Sequence, residues 1–168
     1  TQNLVGYREV KIFINLRLKE DNKDHFLLFS ALGNLFAKDQ SSVFNNSTII
    51  GSETYDDQLT RTNFQETKQT FQLDYTKPFS KKITLEAGAQ YVLQDVSNDF
   101  AVSNSVGGEW IEDADLTNIF EYKQNVLGVY GTGAYEGDKW GIKLGLRVEN
   151  TDLKTLLVTT NEDNDRNF

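Results

Sequence analysis

The sequence predicts an all-β protein, an antiparallel up-and-down meander of about six strands forming part of a larger transmembrane β-barrel. Three observations predict it. Apolar residues recur at every second position through most of the chain, which is the period of a strand. The connections alternate between short and long, as they do when strands pair in order across a membrane. Aromatic residues gather towards strand ends around aliphatic middles, a placement that membrane interfaces favour.

The elements follow in order. Residues 10–18, VKIFINLRL, put Val10, Ile12, Ile14, Leu16 and Leu18 on one face. Lys11, Asn15 and Arg17 lie opposite, and Phe13 interrupts the polar side. KEDNKD, 19–24, reads as a turn. The second strand, 26–37, is apolar on both faces, so its orientation stays open. A polar stretch rich in Ser, Asn, Thr and Asp, 38–68, reads as a long loop. The third strand, 70–79, sets Phe71, Leu73, Tyr75 and Phe79 against Gln72 and Asp74. Pro78 has no amide hydrogen for a ladder and belongs in a turn or at a strand end.

The fourth strand, 83–93, alternates Ile83, Leu85, Ala87, Ala89, Tyr91 and Leu93 with Thr84, Glu86, Gly88, Gln90 and Val92. A second polar stretch, 95–118, reads as another long loop. In the fifth strand, 119–135, Phe120, Tyr122, Val126, Gly128 and Tyr130 share the apolar face. Glu121, Lys123 and Asn125 lie opposite, although Leu127 and Val129 blur that side. EGD, 136–138, is a tight turn. The sixth strand, KWGIKLGLRVEN, 139–150, alternates Trp140, Ile142, Leu144, Leu146 and Val148 with Lys143, Arg147 and Glu149. TLLVTT either continues it or begins the next loop. No segment has helical spacing.

A length of 168 residues suits one ordinary domain. The mean hydropathy is −0.51. No run of ~18 apolar residues exists, which excludes membrane-spanning helices but not a barrel with a polar lumen. A net charge of −8 argues against a nucleic-acid partner. Cysteine is absent, so disulfides and thiolate metal sites are excluded. The polar tail NEDNDRNF reads as the middle of a loop, and the chain is expected to be a piece of a longer protein.

If the strands pair in order, the short turns at 19–24, 76–82 and 136–138 share one end and the long loops share the other. Strands of ~10 residues are long enough to cross a tilted span. Tyr75, Phe79, Tyr135 and Trp140 would form one aromatic belt, and Tyr91, Phe120 and Tyr122 the other. The alternative is a secreted β-sandwich that binds a ligand of the carbohydrate type. It shares the alternation but requires no sorting of loops by length.

The segment NIFEYKQNVLGVYGTGAYEGDKWGIKLGLRVENT resembles the outer-membrane β-barrel region of TonB-dependent receptors from the Bacteroidetes. The features are F-x-Y before a strand with V-x-G-x-Y, a turn, and then G-L-R-x-E-x-T. Here they are Phe120, Tyr122, Val126, Gly128 and Tyr130, then Gly145, Leu146, Arg147, Glu149 and Thr151. The resemblance is good over 68–168 and weak before it. It implies a large barrel with a plug domain and a TonB-type energy-coupling protein as partners, importing substrate across the outer membrane. The lipid of that membrane is the surrounding partner.

Candidate residues divide into a wall and a mouth. Lys143, Arg147, Glu149, Glu86 and Asp74 would line the lumen and contact a plug or substrate; the simpler role is a mutually paired, solvated wall. Tyr55, Phe64, Phe100 and Trp110 lie in the expected loops and are candidate ligand contacts, since loops on rigid scaffolds often carry binding. The acidic run WIEDAD lacks the glycine and terminal glutamate of a calcium loop. His25, the only histidine, does not make a metal site. No catalytic residue, metal or cofactor is expected, and no enzyme.

Overall fold

The computed structural model describes residues 2–19, 25–52, 55–158 and 162–167. They form β1 (Gln2–Lys19), β2 (Phe26–Phe44), β3 (Gln58–Pro78), β4 (Ile83–Val106), β5 (Glu109–Glu112), β6 (Asn118–Glu136), β7 (Gly141–Leu157) and β8 (Glu162–Asn167). All pair antiparallel in one sheet, ordered β1-β2-β3-β4-β6-β7-β8, with the short β5 folded back on β4. The meander is as expected, with more and longer strands. The polar tail expected to be loop pairs along β7 as β8, and the run after Asn150 continues β7.

Two turns close one end. At the first, the amides of Phe79 and Ser80 donate to the Ile83 carbonyl, at 2.8 and 3.2 Å. Pro78 ends β3 there, where its missing donor costs least. At the second, the Gly137 amide donates to the Trp140 carbonyl at 2.8 Å. Lys82 Nζ bonds Asp138 at 3.0 Å and ties the two turns together. The turn expected at 19–24 lies mostly outside the described residues.

The sheet has two chemically distinct faces. Paired residues point the same way, so the register carries a face from strand to strand. The outward face holds Leu16, Phe29, Leu73, Ala89, Val129 and Val148 in one row. The opposite face holds Asn15, Ser30, Gln72, Gln90 and Glu149 in the next. On the central strand β3 the outward Phe71, Leu73 and Tyr75 are exposed while Gln72 and Asp74 between them are half-buried; on β1 and most of β7 both faces are exposed. Among the described residues only Leu59 and Val102 are buried apolar side chains. A sandwich would need a second sheet and a core between the two. This sheet instead presents its apolar side to its surroundings, which water would penalise and lipid would not.

The outward apolar run on β4 extends from Ile83 to Leu93, then gives way to Asp95, Ser97 and Asp99. About ten steps of ~3.3 Å, tilted by ~40°, span ~25 Å of depth, the height of an outer-membrane apolar band. The ladder does not stop there. β3 and β4 stay paired from Gln58↔Asn104 to Pro78↔Thr84. The two long loops expected at 38–68 and 95–118 are therefore mostly strand. The true connections are 45–57 and the segment 107–117, which includes β5. Above the lipid the outward positions become polar, so the period-two hydrophobic signal vanishes while the backbone pairing continues. Gly107 and Gly108, at φ 62 and 89, supply the two left-handed positions of the hairpin into β5.

The phase of β6 is also corrected. Tyr130 pairs with Arg147 and Gly88, and Tyr122 with Val96, so the face bearing Phe120, Tyr122 and Tyr130 is the inward one. Glu121, Lys123 and Asn125 point outward, above the apolar band. Phe120 and Tyr122 consequently leave the upper aromatic belt. Tyr91 remains in it, and Tyr135 packs on Trp140 in the lower belt with ring centroids 5.1 Å apart.

Candidate functional site

All five expected wall residues lie on the inward face, and they form two hydrogen-bonded groups. In the first, Arg147 Nε contacts Glu149 Oε1 at 2.6 Å, and its Nη2 donates to Gln90 Oε1 at 3.0 Å. Gln90 Nε2 donates to Gln72 Oε1 at 3.1 Å. Gln72 Nε2 reaches Asp74 at 2.8 Å and the Tyr130 hydroxyl at 3.0 Å. Tyr130 donates in turn to Asp74. In the second group, Glu86 Oε2 accepts from Lys143 at 2.6 Å and from Thr132 at 2.7 Å.

Glycines make the first group possible. A Cβ at Gly88 would lie 2.5 Å from the Tyr130 ring, and one at Gly128 would lie 2.7 Å from Arg147 Nη2. Each large side chain therefore lies flat across the strand beside it, over a residue with nothing to displace it. Arg147 also stands 5.4 Å from the Tyr130 ring centroid, within cation–π range. Every bond in these groups joins residues on the same wall, across β3, β4, β6 and β7. These charges stay in contact with water, so each pair is solvent-screened and contributes little on its own.

The four candidate ligand contacts do not converge. Tyr55 lies in the 45–57 connection and is 64% exposed. Trp110 lies on β5 opposite Ser105, on the outward face. Phe64 and Phe100, expected in loops, are inward strand positions above the apolar band; they are diagonal neighbours on β3 and β4. Phe64 makes an edge contact with Phe36 at 5.9 Å, an aromatic pair that alternation on β2 did not reveal because both its faces are apolar. Among the described residues no cluster of acidic and histidine side chains could hold a metal ion.

An exposed apolar band, a polar inner wall and antiparallel strands in sequence order define a membrane barrel wall. Residues 18–168 match the Outer membrane protein beta-barrel family. The chain belongs to that family. No curated protein matches it. As an outer-membrane β-barrel protein it resides in the bacterial outer membrane; barrels of this kind generally turn their long connections outward and their short turns to the periplasm. The network from Asp74 to Glu149 lies on the polar face of this sheet, and Leu144 on the apolar face.

Proposed function

We propose that the chain is barrel wall from a TonB-dependent receptor that actively imports a substrate across the outer membrane. The observation that carries this reading is how the resembling motifs fit together. Gly128 and Tyr130 of the first motif and Arg147 and Glu149 of the second come from different strands, yet they interlock on one patch of the lumen wall. The two networks also satisfy their charged groups locally, as suits a barrel wide enough to hold something other than its own side chains. That occupant is a plug domain of the full-length protein, moved by a TonB-type energy-coupling partner. Phe64 and Phe100 stand where substrate would enter, and Tyr55 at the outer rim. The reading assigns no catalysis.

A photo-crosslinker placed in the full-length receptor tests it. At Lys143 or Glu149 it should join the barrel to an upstream plug domain within the same polypeptide. At Leu144 it should join lipid only. Crosslinks from Lys143 to no other part of the protein would overturn the proposal.

A further inference from the structure

A groove climbs the outward face along β2, between β1 and β3. Three cavities follow one another in it. The lowest, about 150 Å³, is lined by Ile12, Gly33, Leu35 and Gln69. The next, about 170 Å³, shares Val10 and Leu35 and adds Arg8, Ala37 and Gln65. The highest, about 630 Å³, is lined by Gly6, Asp39, Arg61, Asn63 and Asp99. Small residues make its floor. A Cβ at Gly33 would meet only the Ile12 carbonyl oxygen, 3.9 Å away, and one at Gly6 would meet nothing within 4 Å.

The groove straddles the top of the apolar band. Below it, the outward positions of β1 are Ile14, Leu16 and Leu18, at 52, 58 and 69% exposed. Above Arg8 the lining is mixed: Asp39, Arg61, Asn63 and Asp99 stand among Leu4, Val5 and Ala101, and Asn63 Nδ2 already donates to Asp39 Oδ1 at 2.7 Å. A molecule filling this groove needs an apolar tail beside Gly33, an anion at the level of Arg8, and hydroxyl groups above. Those are the parts of a phosphorylated glycolipid, in the order in which an outer leaflet presents them. A protein partner could reach the upper cavity but not the lower one, which opens into hydrocarbon.

We propose that this groove binds one phosphorylated glycolipid of the outer leaflet. An acyl chain lies against Gly33, and a phosphate pairs with the Arg8 guanidinium. Sugar hydroxyls donate to Asp39 and Asp99 and accept from Arg61. Arginine suits the phosphate because its planar fork bonds two oxygens at once.

The test is native mass spectrometry of the full-length protein, extracted from outer membranes in mild detergent and washed. Wild type should retain glycolipid. Gly33→Leu fills the lower cavity and Arg8→Glu reverses the anion site, and each should cut retention about tenfold or more, a change of ~1.4 kcal/mol or more. Gly131→Leu is the control. It adds the same side chain to the same lipid-facing band, outside the groove, where a Cβ would meet only the Glu86 carbonyl oxygen at 3.7 Å. Retention in that variant should match wild type. Arg8 lies above the band, so its variant tests the site even if Gly33→Leu folds poorly. Wild type free of glycolipid, phospholipid retained in its place, or equal loss in Gly131→Leu would overturn the assignment.

Discussion

Replacing Leu144 by arginine separates the two faces of the sheet most sharply. Leu144 is the middle of the outward run Trp140, Ile142, Leu144, Leu146 and Val148. Four residues of ~3.3 Å in either direction, at a tilt of ~40°, place each end about 10 Å from it in depth. Leu144 therefore sits near the bilayer midplane. Its cross-strand partner is Gly133, which offers no large side chain for cover. A guanidinium there should cost ~2–4 kcal/mol, the midplane value for a lipid-facing cation in a barrel. The adjacent change, Lys143→Leu, falls on the lumen side. It removes the 2.6 Å contact with Glu86, whose partners are 56 and 37% exposed. Screening holds that loss to ~0.2–1 kcal/mol. Urea unfolding of the full-length barrel in lipid vesicles, followed by tryptophan fluorescence, measures both. Equal losses would refute the assignment of faces, and a larger loss for Lys143→Leu would reverse it.

Two further outcomes are expected. Gly88→Ala pushes the Tyr130 ring off Asp74 and Gln72 and should destabilise by ~1 kcal/mol or more. The same change should be nearly silent beside Tyr130→Ala, a coupling that a double-mutant cycle reads; additive losses would mean the ring does not rest on Gly88. Protease added to intact cells should cut within 45–57 and 107–117 and spare the polar parts of β3 and β4. Cleavage between Thr60 and Lys68 would show that the ladder ends at the lipid boundary.

Much of this wall was legible in the alternation of single strands. β1, β4 and β7 show it plainly because their outward positions are aliphatic and their inward ones polar. β6 misleads because its lipid side carries Gly131 and Gly133, which signal nothing, while its lumen side carries Tyr122, Val126 and Tyr130. Tyr130 fits inside because Gly88 on the neighbouring strand receives its ring, a fit that appears only once the register is known. The ends of β2, β3 and β4 were hidden for another reason. Hydropathy reports the solvent a residue meets, and above the lipid both faces of a strand meet water. Phase alone puts Asp74, Glu86, Lys143, Arg147 and Glu149 on one face, but their division into two networks depends on cross-strand neighbours. Phe64 and Phe100 show the opposite case: they were singled out as aromatics in polar surroundings, and the register moved them from loop to wall.

The ladder above the lipid constrains how such a barrel can vary in length. One residue inserted into β4 between Leu93 and Asp99 would turn every later side chain of that strand to the other face. Phe100 would then point away from the lumen, and Asp99 into it. At this end of the sheet the stretch between Phe44 and Gln58 and the one beyond Val106 can grow or shrink by an odd residue without that reversal. Related barrels should therefore differ freely in length at those two places and, within the polar strands, by pairs of residues or not at all.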